Sequence, residues 1–213
     1  MAPYLDHTLL KPDATPADVE RLCEEALAYG FCAVCVNPAL LPVAAALLRG
    51  SKVKPVTVIG FPLGANATST KTFEAAEAVA AGALEVDMVI AVWALKAGLL
   101  DRVRADIAAV VAAAGPRCVV KTILETCLLS QDEKATACRL AVEAGAGFVK
   151  TSTGLAGGGA TVADVRLLRA AVGPSLGVKA SGGIRTLTDA LALMDAGANR
   201  LGASSSVRIV TES

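Results

Sequence analysis

Histidine is nearly absent from this chain: His7 is the only one in 213 residues. A zinc site is therefore short of ligands, and the single CxxC, Cys32 to Cys35, has no second pair to complete one. The six cysteines, Cys23, Cys32, Cys35, Cys118, Cys127 and Cys138, are too scattered for a disulfide framework. Cys32 and Cys35 lie within the apolar run GFCAVCV, not at a helix start after a strand where a redox pair is placed, and read as reduced core thiols. An excess of either charge is also missing. The 20 basic and 20 acidic side chains cancel, which removes the electrostatic case for nucleic acid or an anionic membrane as partner. No apolar run approaches the roughly 18 residues of a membrane span. The opening MAPYLDHTLLKPD lacks the basic-then-apolar layout of a signal peptide. A cytoplasmic protein with small-molecule partners is expected. Linkers and low-complexity stretches are lacking too, so one domain over 1–213 is expected.

What is present is apolar and aliphatic. Apolar residues make up 54% of the chain and aromatics only 3%, the balance of Ala-rich helices packed closely on a Val/Ile-rich sheet. Periodicity places strands near 4–9, 31–36, 54–61, 84–90, 118–124, 147–152, 176–181 and 199–204. Helices fall between them, near 16–29, 38–49, 69–81, 93–114, 131–144, 161–172 and 186–196. Thr15 before Pro16 forms a helix N-cap, and Ser130 to Glu133 has capping-box spacing. The segments AYGFCAV, AAGALEV, EAGAGFV and DAGANRL repeat one pattern of helix end, glycine turn and apolar strand. Eight βα units in a chain of this length fit a (β/α)8 TIM barrel. The alternative, a doubly wound open sheet, would carry a glycine-rich fingerprint after its first strand, and LDHTLLKPD contains no glycine.

Three lysines, Lys121, Lys150 and Lys179, recur at a 29-residue step within the apolar runs CVVKTIL, GFVKTSTG and LGVKAS. A strand interior rarely holds an unpaired lysine, because burying an ammonium costs more than its alkyl stem returns. Lysines at the pitch of a βα repeat point to one shared cationic pocket, in which a neighbouring cation can keep an amine unprotonated and nucleophilic. Glu85 and Asp87, on one face of ALEVDMVI, can offset part of that charge. The plainer expectation for Lys121 and Glu125 is a packed ion pair, and for Asp87 a strand-end carboxylate held by a lysine. Lys150 differs, because the hydroxyls and glycine that follow it in VKTSTG have no purpose beside a purely structural lysine. Gly182 and Gly183 after strand seven, and Gly202, Ser204 and Ser205 after strand eight, stand where barrel enzymes bind phosphate. Arg185 adds donors for an anion.

These runs, together with LDHTLLKP, VCVNP, VIGFPLGA, EVDMVI and RLGASS, cover nearly the whole chain, and in them it resembles the deoxyribose-phosphate aldolase family. The pairing of FVKTSTG with GVKASGGIRT at this separation is its most specific part. The resemblance implies a metal-free and cofactor-free class I aldolase of deoxyribose catabolism. It would cleave 2-deoxy-D-ribose 5-phosphate reversibly into D-glyceraldehyde 3-phosphate and acetaldehyde. By residue match Lys150 is the Schiff-base lysine, Lys179 its neighbouring cation and Asp87 the acid/base carboxylate. Asp6, Cys35 and Thr151 match pocket positions, Lys121 supports the charge network, and phosphate sits at Gly154, Gly182, Gly183, Arg185, Gly202, Ser204 and Ser205.

Two departures from the family pattern stand out. Leu155 occupies a position where some relatives carry a lysine beside the phosphate, which shifts the expected load to Arg185 and backbone N–H groups. No tyrosine follows Tyr29, whereas some relatives use one in a C-terminal tail for proton transfer, so the relay is expected to use side chains of the barrel. The competing readings are another Schiff-base barrel, such as a transaldolase-like enzyme or ketose aldolase, and a sugar-phosphate binding protein without turnover. A homo-oligomer, dimer or tetramer, is expected from the apolar content.

Overall fold

The structure, a computed structural model, describes residues 1–212; Ser213, the end of the expected domain, lies outside them. Eight parallel strands close a barrel in sequence order: β1 (Leu5–Leu9), β2 (Ala33–Val36), β3 (Lys54–Ile59), β4 (Glu85–Val89), β5 (Val119–Ile123), β6 (Phe148–Lys150), β7 (Gly177–Ser181) and β8 (Arg200–Ala203). The first helix of the outer layer, α1 (Pro16–Tyr29), begins at a capping box between Thr15 and Asp18. Next come α2 (Leu41–Leu47), α3 (Thr68–Ala80), α4 (Val92–Lys96) and α5 (Leu100–Ala114). The layer ends with α6 (Gln131–Glu143), α7 (Val162–Val172), α8 (Leu187–Asp195) and α9 (Ser206–Thr211). The capping box read from Ser130 and Glu133 starts α6. No described helix is long and apolar enough to cross a membrane.

Two expected helices differ. The span 93–114 is interrupted, because Gly98 takes a left-handed conformation (φ 70°) that ends α4, and the chain restarts as α5 at Leu100. The span 38–49 opens as a 3-10 turn over Pro38–Leu40 before α2. β6 is shorter than expected, ending at Lys150 with Thr151 and Ser152 already in the loop.

Apolar packing lies mainly between sheet and helices, where Val19, Val34, Met88, Ile107, Val149 and Leu168 are fully buried. Burying each such side chain contributes about 1.5–3 kcal/mol. Inside the barrel a second, small cluster comprises only Ala33, Cys35, Val56 and Val58, from β2 and β3. Much of the remaining interior is charged, with Val89, Ile123 and Phe148 as its apolar neighbours on the same strand faces. Register sets this, since Asp87 stands beside Lys121, Lys150 beside Lys179, and Lys179 beside Arg200 on adjacent strands.

Candidate active site

The alternation of side chains along each strand turns Asp6, Glu85, Asp87, Lys121, Lys150, Lys179 and Arg200 into the barrel, and all seven are buried. Asp87 is the hub. Its Oδ1 accepts from Lys121 Nζ at 2.7 Å, and its Oδ2 accepts from both Lys150 Nζ at 2.7 Å and Lys179 Nζ at 2.8 Å. Lys179 also donates to Asp6 Oδ2. Below, Lys121 lies 2.7 Å from Glu85 Oε2, and Arg200 spans Asp6 Oδ1 (2.7 Å) and both oxygens of Glu85 (3.0 and 3.1 Å). The Arg200 guanidinium is stacked over the Phe148 ring at 5.4 Å. Gly202 leaves room for this layer, because a Cβ there would come within 3.1 Å of the Lys179 side chain.

Four buried cations thus share three buried carboxylates, and the half-buried Lys54 also donates to Glu85 Oε1 at 2.9 Å from the edge. A net buried charge is costly, and the cheapest relief is for one cation to lose its proton. Of the four, Lys150 alone is shifted in that direction. Burial lowers its pKa, the Asp87 carboxylate opposes this, and the nearby Lys179 ammonium lowers it further; the result lies below the ordinary lysine range. Burial acts on Lys179 in the same direction, but Asp6 and Asp87 outweigh it and hold the group protonated. Lys121 is likewise raised, since Asp87, Asp6 and Glu85 overcome burial and the Lys179 charge. Burial favours the neutral acid at Asp87, yet Lys121, Lys150 and Lys179 hold it well below the usual carboxylate range. The Lys150 amine therefore stands beside a carboxylate, Asp87, and an ammonium, Lys179, that meet at one oxygen.

Above the cage opens a cavity of about 360 Å³, lined by residues 8–12, 153–155, 181–184 and 202–204 together with Lys150. Lys150 is the only one of the three repeated lysines on its wall. Of the expected phosphate residues, Gly154, Gly182, Gly183, Gly202 and Ser204 line it. Arg185 does not: it is exposed, outside the lining, and its amide N–H is committed to Asp189. Ser205, half-buried, borders a neighbouring depression instead. Asp6, Asp87, Lys121, Lys179 and Cys35 are buried and do not belong to the lining. Burial pushes the Cys35 thiol up to about 11, which makes it a packing group. All six cysteines are free.

The expected Lys121–Glu125 pair is not formed. Lys121 turns to Glu85 and Asp87, while Glu125, one residue past Leu124, takes a left-handed backbone (φ 58°, ψ 63°) that removes it from the inward face of β5. Such a conformation in a non-glycine residue costs about 1–3 kcal/mol. Of the hydroxyls after Lys150, that of Thr151 is spent on the backbone of β7, while Ser152 Oγ has no hydrogen-bond partner among the described residues. Thr151 Oγ1 donates to the Ser181 carbonyl (3.2 Å) and accepts from Ser181 N–H (3.1 Å), and Ser181 Oγ donates to the Ser152 carbonyl (2.6 Å). These bonds tie the end of β6 to β7. Two residues escaped the sequence reading. Arg200 carries the same signal as the lysines, a charge inside a buried strand. Lys11 lines the cavity from the β1 loop and gave no signal beyond its place in LDHTLLKPD.

A model of the DeoC/LacD family of aldolases matches residues 1–209. The chain belongs to this family. Its members include the deoxyribose-phosphate aldolase of Thermoanaerobacter sp. (strain X514), 56% identical over 100% of this chain and 96% of that one. Another, from Carboxydothermus hydrogenoformans, is 58% identical over 99% of this chain and 93% of its own. Among solved structures, the deoxyribose phosphate aldolase of Aeropyrum pernix, described as a tetramer, superposes with a TM-score of 0.91. It is 37% identical over 98% of this chain and 88% of that one. The family places the chain among the lyases, as an aldolase acting on small molecules.

Proposed function

We propose that the chain, acting as one catalytic domain, cleaves 2-deoxy-D-ribose 5-phosphate into D-glyceraldehyde 3-phosphate and acetaldehyde through an imine on Lys150. The observation that carries this is the Lys150 amine on the cavity wall, sharing Asp87 Oδ2 with Lys179. The free amine adds to the C1 aldehyde of the open-chain sugar. The carbinolamine loses its hydroxyl as water, with Lys179 placed to supply the proton and Asp87 to take one from nitrogen. In the iminium, the C3 hydroxyl gives up its proton and the C2–C3 bond breaks. The electron pair passes to C2 and on towards nitrogen, releasing glyceraldehyde 3-phosphate and leaving an enamine. Protonation at C2 and hydrolysis return acetaldehyde and the amine.

The phosphate would lie against Gly154, Gly182, Gly183, Gly202 and Ser204, whose backbone faces the cavity. Lys11 takes the place of Arg185 as the mouth cation, since it lines the cavity and has no ion-pair partner among the described residues. Relatives that carry this name, one of them tetrameric, support the substrate and a homo-oligomer; a cytoplasmic location goes with both.

The test is reductive trapping. Incubation with acetaldehyde or deoxyribose 5-phosphate followed by borohydride should leave one mass adduct on Lys150, absent in Lys150→Ala. An adduct on Lys121 or Lys179, or none despite turnover, would remove the proposal.

A further inference from the structure

Thr153 and Gly154 form part of the cavity wall, yet no strand fixes them, since β6 ends at Lys150. Two anchors hold the loop. On the β7 side they are the Thr151 and Ser181 hydrogen bonds described above. On the β5 side the anchor is Glu125, whose side chain is buried with residue exposure of 2% and pairs with no cation among the described residues. Its carboxylate accepts from Thr153 N–H at 3.2 Å (Oε1) and 3.3 Å (Oε2), and from the Thr153 hydroxyl. That hydroxyl oxygen in turn accepts from Leu155 N–H at 3.1 Å, so Gly154 is held in a turn fixed on both flanks. The Thr126 N–H donates to the Thr151 carbonyl at 2.9 Å and completes the link. Gly154 then lies against the glycine turn after β7: its Cα is 3.4 Å from where a Gly182 side chain would begin.

A buried carboxylate without a cation is retained at a cost that an apolar residue of similar size would avoid. The left-handed backbone at the same residue adds to that cost. The return is the shape of residues 151–155. We infer that Glu125 is a positioning residue: through Thr153 it fixes the loop that turns the Gly154 backbone towards the anionic end of the substrate. It touches neither the reacting carbon nor Lys150. The inference rests on the reading of the cavity as a site for a phosphorylated sugar.

The test compares kcat and KM for 2-deoxyribose 5-phosphate and for unphosphorylated 2-deoxyribose in wild type, Glu125→Gln and Thr153→Val. Glutamine keeps the volume but offers one acceptor and an amide that donates. Losing hydrogen bonds to a charged acceptor should raise KM for the phosphorylated sugar at least about tenfold, with kcat changed less than about twofold. The preference for the phosphorylated sugar, taken as the ratio of the two kcat/KM values, should fall by the same factor. Thr153→Ser, which keeps the hydroxyl, should recover most of what Thr153→Val loses. If Glu125→Gln does not fold, Thr153→Val carries the test alone. An unchanged preference in the folded variants overturns the inference and leaves the phosphate reading intact, as does an equal loss of kcat on both sugars. A wild type with no preference for the phosphorylated sugar overturns the reading and the inference together.

Discussion

Lys71 and Lys150 are both withdrawn from water, but into different layers of the molecule. Lys71, on α3, lies between sheet and helices, with Nζ 2.6 Å from Asp106 Oδ2 and 3.0 Å from the Val89 carbonyl. The other Asp106 oxygen accepts from Thr68 Oγ1 at 2.7 Å. One cation meets one carboxylate, both Asp106 oxygens are partnered, and Lys71 is fully buried and lines none of the cavities described. Lys150 has an aspartate at almost the same distance, 2.7 Å, but shares that oxygen with Lys179 and stands on a cavity wall. Burial is common to both lysines, so burial alone does not make a nucleophile. The surplus of cations over carboxylates and the open wall are what set Lys150 apart.

The comparison breaks most readily by removing each amine. Lys150→Met should abolish aldolase activity, by about a thousandfold or more, while the melting temperature stays level or rises. The reason is that the folded site disfavours the ammonium that the unfolded chain carries, and Asp87 keeps Lys121 and Lys179. Lys71→Met strands Asp106 without its cation and should cost about 3–5 kcal/mol in urea unfolding. Equal destabilisation by the two substitutions would mean that Lys150 is a structural ion pair like Lys71.

A smaller effect is expected when the neighbouring cation is removed and the amine kept. Lys179→Leu takes away a positive charge that lowers the Lys150 pKa, so that pKa rises. With a raised pKa the free amine is lost at higher pH, and each unit removes about a factor of ten at pH 7. The acid limb of kcat/KM against pH should move to higher pH. Turnover should fall by about 10–100-fold near neutrality, with the deficit shrinking as pH increases. A limb that does not move would assign the lowered pKa to burial alone, and the contrast with Lys71 would then rest only on access.

Much of this was legible in the sequence for one reason: a lysine in an apolar strand is costly, and costly features repeat only where they are used. That logic singles out Lys121, Lys150 and Lys179, while alternation along ALEVDMVI puts Asp87 on the face towards them and the eight repeated βα units point to the closed barrel. It failed where direction depends on a local backbone state. Strand alternation pairs Glu125 with Lys121, but alternation stops where φ turns positive. Arg185 and Lys11 are both long side chains in loops, and spacing along the chain does not say which one folds over the mouth. The span 93–114 kept a helical pattern through Gly98, and only the turn there divides it.

The mouth sets the outer limit of the comparison, because there water replaces burial. Leu155 is 63% exposed on the cavity rim, and Lys11 lines the same cavity. Leu155→Lys would add a cation near the proposed phosphate without adding one to the cage. An exposed charge is screened within roughly 8–10 Å at ordinary salt, so a fall of only about three- to tenfold in KM for deoxyribose 5-phosphate is expected, with kcat unchanged. The gain should shrink as salt is raised. Lys11→Met should act in the opposite sense and with the same salt dependence. If either substitution instead shifted the acid limb of the pH profile, the mouth would be coupled to Lys150 electrostatically. The separation of a screened rim from an unscreened cage, on which the contrast between Lys150 and Lys71 depends, would then not hold.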